Sequence, residues 1–408
     1  MRVNQLYPIL DQVLCSGGNF LTITLCARAL SLGEQGKVGF IFAAYVAIVT
    51  ISAVTIYQYA SVNAPKLTFL LRKQYYACLL LICVLLVLAT AGFFAVVIPS
   101  LLEFASWNIT GLETVFFIVY LALQQFVDFY RRTSYIFKTP IRALLVSALI
   151  YIPRVALLAL LEYSSFLGVL FILILTSVPG FVLFIGDILK YKKYALVGLK
   201  KFARIHFIES RWLIVSGPLS WLWAYIPVFV LGKVGGLSAV AVLASVRSIS
   251  NVGNTVMELL ETVVAAKAGV HQASHPSRMK DYMWLVFTVG ILIWSVGLLF
   301  LLIAGDELIF YTIGRKYEGY GDLLLILWGV VGLTLVFRVH ALKLRTEGNT
   351  KVVTVGFAFA TLVVTIVSPY FIEQYGVYGA AIAFATGAMG NFLAQVILIG
   401  VYYRSQRV

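Results

Sequence analysis

Arg247 lies about ten residues into an apolar stretch, which at ~1.5 Å of rise per residue sets its guanidinium near the middle of a ~30 Å hydrocarbon layer. Ser250, Asn251, Asn254, Glu258 and Glu261 follow at steps of three or four, so they share one face of a helix. A charge at that depth is costly unless it faces water or a partner. Two readings stand: a cavity wall that presents a guanidinium to an anionic substrate, or a buried Arg to Glu pair that fixes helix packing. The intervening asparagines favour the cavity, since a lone structural pair has no use for them.

Arg154 follows Pro153 midway through another apolar stretch, with Ser147 and Tyr151 near its face and Glu162 two turns on. Proline there kinks a helix and frees a carbonyl, so Arg154 either contacts substrate or is a structural arginine satisfied by that carbonyl or by a neighbouring helix. Arg28 closes a stretch that begins at Asp11 and carries Gly17, Gly18, Asn19, Thr22 and Thr24. The glycines permit bending or close helix approach, and Arg28 either lines the outer part of a cavity or snorkels to the interface. Gln124, Gln125, Asn391 and Gln395 are read as interhelical hydrogen-bonding groups. Asp128 and Glu258 are the candidates for ion coupling, set against an ordinary solvated carboxylate near a span end.

These residues are carried by twelve apolar stretches at about 11–30, 38–61, 76–98, 112–127, 142–162, 165–187, 211–231, 237–257, 282–304, 320–337, 351–372 and 376–402. Each is close to the ~20 residues that cross a bilayer. Most of the 31 lysines and arginines fall in every second gap and at the two termini. The alternate gaps hold mostly acids, so the positive-inside rule puts both termini in the cytoplasm. A chain 61% hydrophobic and 12% charged, with mean hydropathy +0.96, is an integral membrane protein. The net charge of +14 is mostly that loop bias, which favours anionic lipid and implies no nucleic-acid partner.

The longest basic stretch, about Lys190 to Arg211, splits the stretches six and six and suggests two lobes, 1–205 and 206–408. Its mixture of apolar and basic residues fits either an amphipathic helix in the inner interface or a solvated linker. A weak echo between Ser16-Gly17 with Gly36-Lys37-Val38-Gly39 and Ser216-Gly217 with Gly232-Lys233-Val234-Gly235 agrees with an internal repeat. Cys15, Cys26, Cys78 and Cys83 lie inside stretches and read as small apolar fillers. Tryptophans near the boundaries, among them Trp212, Trp223 and Trp328, read as an interfacial belt. No phosphate loop, HExxH, GxSxG or spaced Cys/His cluster occurs, so no cofactor, metal site or enzyme activity is expected.

Asp11-Gln12 … Ser16-Gly17-Gly18-Asn19-Phe20 … Ala27-Arg28-Ala29-Leu30 … Gly36-Lys37-Val38-Gly39 resembles the first span and loop of Wzx-type polysaccharide flippases of the MOP (MATE-related) superfamily. Gly314-Arg315-Lys316-Tyr317 and Tyr375-Gly376-Val377-Tyr378-Gly379-Ala380-Ala381 resemble two later short runs of that family. The resemblance implies an all-α polytopic membrane protein of about twelve transmembrane helices, in two six-helix bundles around a central cavity. It implies a protein of the bacterial inner membrane that moves an undecaprenyl-diphosphate-linked oligosaccharide to the periplasmic leaflet, for O-antigen, capsule or exopolysaccharide synthesis. Membrane lipid is then a partner, as are a polysaccharide polymerase and a chain-length regulator. Arg28 and Arg247 match the family's cationic cavity positions, whereas Arg154 has no assigned counterpart. A drug/cation antiporter of the same superfamily, or a membrane-embedded polymerase, is the alternative. The antiporter should carry carboxylates in its N-lobe cavity, and the polymerase a long periplasmic loop.

Overall fold

The computed structural model describes the backbone of residues 6–64, 67–105, 109–137, 139–274, 276–346 and 350–405. Within these it describes the side chains other than those of 62, 98–105, 256–280, 282, 342–343, 345–346 and 401–405. The described backbone is helical, without strands: α1 (Leu6–Ala29), α2 (Leu32–Ser52), α3 (Gln58–Asn63), α4 (Phe69–Ala105), α5 (Gly111–Ile136), α6 (Pro140–Leu160), α7 (Phe166–Ser274), α8 (Pro276–Ile313), α9 (Gly321–Thr346) and α10 (Thr350–Ser405). A π-helical turn, Ala53–Tyr57, joins α2 to α3.

Local chemistry sets the helix starts. Ser31 accepts from the Glu34 amide at 3.3 Å to cap α2. Thr110 and Glu113 form a capping box at the head of α5, with Thr110 N donating to Glu113 Oε2 at 2.7 Å. Pro140 stands at the start of α6, where its missing N–H has no consequence. With its cap at Ser31, α2 begins ahead of the apolar stretch that starts at 38, so Lys37 is a buried helical residue and not part of the gap between stretches.

Nine helices among the described residues are long and apolar enough to cross a membrane, so the protein is a multi-pass membrane protein. Two of these segments, of 90 and 51 residues, far exceed the ~20 that one crossing needs. The sequence divides them into three and two stretches. Gly236 (φ 72°) and Gly376 (φ 55°) break the helices at two of those divisions, since glycine adopts positive φ without steric cost. The third division, 188–210, stays helical.

The chain folds as two compact units, Met1–Pro218 and Leu219–Val408. In unit 1, α4, the π turn, α5 and the early part of α7 enclose Ile56, Tyr75, Cys83, Phe129 and Phe184. Gly18 of α1 sits so close to Tyr151 of α6 that an added Cβ would meet the ring at 2.6 Å, which is the close approach its position suggests. All four cysteines are free and buried. In unit 2, Trp223 packs with Phe337, Phe357, Val364 and Ala388. Trp294 and Trp328 each donate their indole N–H to the other's carbonyl, at 2.9 and 3.0 Å. Trp223 and Trp328 are therefore packing residues and not belt residues, because a neighbouring helix offers each a more complete apolar surface than an interface does.

Candidate functional site

Arg247 of α7 is half-buried. Its Nη1 donates to the carbonyl of Ala224 at 3.0 Å, and its guanidinium carbon lies 4.9 Å from the centre of the Tyr225 ring and 4.4 Å from that of Phe384 in α10. Two π faces and one carbonyl orient the group without neutralising it, each cation–π contact being worth roughly 0.5–2 kcal/mol. No carboxylate among the described residues forms an ion pair with it. The alternative of a buried Arg to Glu pair thus finds no support among them, although the side chains of Glu258 and Glu261 lie outside the described residues.

The rest of the Arg247 stripe stays close to its own helix. Ser250 donates to the Arg247 carbonyl at 3.0 Å, and exposed Asn251 accepts from Asn254 Nδ2 at 3.2 Å. Asn391 and Gln395, fully buried in α10, bond to each other at 2.8 Å and pack on Gly356. Gln395 donates to Asn391 within one helix, so their side-chain bond is not the interhelical one expected.

Arg154 of α6 is 0% exposed. Its Nε donates to Thr176 Oγ1 at 3.2 Å, and its Nη2 to Gln124 Oε1 at 3.2 Å and Ser177 Oγ at 3.1 Å. The Tyr151 ring centre is 5.1 Å away and the Tyr120 ring centre 5.9 Å. Neighbouring helices α5 and α7 supply these partners through side chains. The carbonyl freed by Pro153, which the sequence offers as a partner, is not used. Gln125 likewise bonds across helices, accepting from Thr90 at 2.9 Å and donating to Ser52 at 3.0 Å.

Asp128 departs most from its sequence reading. The solvated carboxylate near a span end is 2% exposed, because α5 runs on to Ile136 and carries it inside unit 1. Arg131 Nη2 reaches it at 3.2 Å and Arg132 Nε at 2.9 Å. Arg131 also spans to Asp11 of α1 at 3.3 Å, and Asp11 accepts from Tyr135 and Ser147. Two carboxylates and two guanidiniums thus form a charge-balanced network across α1, α5 and α6. A second network ties Lys37 to Glu34 at 2.8 Å and to Glu113 at 3.0 Å. Glu34 in turn accepts the Phe166 amide at 2.6 Å.

Arg28, exposed at the end of α1, lines a cleft of about 660 Å³ with Leu158, Leu161, Glu162, Tyr163 and Ser164. Within unit 1 the lining of the Arg28 cleft, the partners of Arg154 and the members of the Asp11 network have no residue in common. The network is what sequence reasoning missed. Its signal is the spacing of Asp128, Arg131 and Arg132 at i, i+3 and i+4, but arginines just past the apolar stretch that ends at 127 read as loop residues. Tyr225 and Phe384 carried no signal among 23 tyrosines and 28 phenylalanines.

No protein-family model and no curated protein matches the chain in sequence. Solved structures do match it in shape. An inward-facing multidrug resistance MATE family transporter of the MOP superfamily superposes with a TM-score of 0.75 at 16% identity, over 97% of this chain and 95% of that one. The lipid II flippase MurJ in an inward closed conformation gives 0.64 at 13% identity, over 98% and 88%. A MATE structure in the bent conformation gives 0.62 at 17%, over 100% and 92%. The chain has the MATE-like fold.

Proposed function

We propose that this chain is a flippase of the MOP superfamily, of the Wzx type, that moves an undecaprenyl-diphosphate-linked oligosaccharide across a bacterial inner membrane by alternating access. Both termini then face the cytoplasm. The observation that carries the reading is Arg247, a half-buried guanidinium deep in an apolar span, oriented by two rings and a carbonyl and without an ion-pair partner among the described residues. A guanidinium held this way offers a planar fork of donors to a diphosphate, in a setting where attraction is stronger than in water. Asn251 and Asn254 continue the face towards the sugar, and Arg28 is a second cation for the substrate. Arg154 enters as a framework residue, since it is sealed from solvent and its Nε and Nη2 are held by Thr176, Gln124 and Ser177, with Nη1 left unbonded.

That one neighbour of the same fold is described as a lipid II flippase supports a lipid-linked substrate. Other neighbours are described as multidrug transporters, and the carboxylates of unit 1 are where such a reading would look for a cation site. Asp128 and Asp11 are each already bridged by arginine, which leaves no net negative charge there, so the flippase reading is preferred. For the same reason Asp128 is a poor coupling group as it stands in this conformation.

The test is deletion of the gene and complementation with wild type, Arg247→Ala and Arg247→Lys at matched membrane levels. Loss of surface polysaccharide with build-up of the lipid-linked repeat unit on the cytoplasmic face, unrescued by Arg247→Ala, is the expected result. Normal polysaccharide export after deletion discards the proposal in favour of the antiporter.

A further inference from the structure

Residues 188–210 bridge the two apolar segments 165–187 and 211–231, and their helix turns two different faces outward and inward. The inward face is locked onto unit 1. His206, fully buried, accepts from the Tyr75 hydroxyl at Nδ1 over 2.9 Å and meets the Thr55 carbonyl through Nε2 at 2.6 Å. Thr55 lies in the π turn, where the helix ladder is disrupted and a carbonyl is available to an outside donor. Gly198 rests against the Gln74 carbonyl with no room for a Cβ. The rotation of this helix about its axis is therefore fixed.

Fixing the rotation fixes what the outward face displays. Lys193, Lys200, Arg204 and Arg211 are all exposed, and their spacings of seven, four and seven place them in one stripe. Leu189, Leu196 and Phe207 flank the stripe on one side and Val197 and Ile208 on the other, with Leu196 72% exposed. Water is a poor solvent for such flanks, and no acid falls on the stripe. An apolar-flanked basic stripe, on a helix that continues into membrane-crossing segments at both ends, matches a surface that is both negative and oily.

We propose that residues 188–211 form a docking platform for anionic phospholipid headgroups, clamped to unit 1 by His206. The cations bind headgroup phosphates and the flanking side chains enter the acyl boundary. The platform is distinct from Arg247 and does not depend on what the protein transports. The experiment is native mass spectrometry of the purified full chain, delipidated and then titrated with phosphatidylglycerol or with zwitterionic phosphatidylethanolamine. Lys193, Lys200, Arg204 and Arg211 changed together to Gln should lower bound phosphatidylglycerol by about tenfold or more, given roughly a fivefold effect per basic residue at an anionic surface. Arg204→Lys with Arg211→Lys, which keeps the charge, should leave it unchanged. Arg315→Gln with Lys316→Gln, outside the platform, should also leave it unchanged. Equal phosphatidylglycerol retention by wild type and the fourfold variant overturns the proposal, as does an equal loss of both lipids.

Discussion

Arg154 and Arg247 both sit within apolar spans, one in each unit, and neither meets a carboxylate among the described residues. Their surroundings differ in how many donors are taken. Arg154 is sealed from solvent, with three hydrogen bonds to hydroxyls and an amide oxygen. Arg247 is half-buried, with one bond to a backbone carbonyl and two aromatic rings beside it. The first arrangement seals a guanidinium away from water, with its Nη1 unbonded, and the second leaves one partly open to water. A charge deep in a span can serve a ligand only where the ligand can reach it, and it is in this that the two arginines differ. In unit 1 Asp11 and Asp128 are buried but neutralised in place.

The largest effect that sharpens this contrast is structural. Arg131→Ala strands the buried carboxylate of Asp11 and leaves Asp128 to Arg132 alone, so it should cost about 3–5 kcal/mol and drop the protein's midpoint in a detergent melt. Arg247→Ala should leave the melt nearly intact yet cut transport by about thirtyfold or more, the equivalent of roughly 2 kcal/mol for a charge-assisted bond to phosphate. Arg247→Lys should fall between, because it keeps the charge but loses the fork and the stacking. Arg154→Met tests the other half. Gln124 Oε1 still accepts from Ser177 at 3.1 Å, and Thr176 still bonds to the Ile172 carbonyl at 2.9 Å, so these partners are not orphaned. Stability should change by no more than about 1 kcal/mol and transport should persist. A transport loss in Arg154→Met as deep as in Arg247→Ala would erase the distinction. Asn251→Ala removes only an exposed bond within one helix and should change stability by less than about 0.5 kcal/mol, read in the same melt.

Much of the scaffold could be read from composition, because a bilayer demands ~20 apolar residues per crossing and leaves little ambiguity. Gly236 and Gly376 fall where the apolar pattern already changes, so those breaks were legible too. Helix ends were less so: α2 begins ahead of its apolar stretch and takes in Lys37, and α5 extends nine residues beyond the apolar stretch that ends at Val127. Charge alone cannot show that Arg131 is buried, since its partner Asp11 is 120 residues away. Arg247 was legible as a residue in the wrong solvent. Its setting between Tyr225 and Phe384 was not, because it depends on how α10 packs.

The most direct measurement is the access of water to the two arginine positions. With Cys15, Cys26, Cys78 and Cys83 replaced by Ala, a single cysteine is placed at position 247 or at position 154 and exposed in membranes to an anionic, membrane-impermeant thiosulfonate from either side. The expected result is modification at 247 from at least one side, slowed by the proposed lipid-linked diphosphate substrate, and none at 154. Modification at 154 at a comparable rate, or none at 247 from either side, would contradict it.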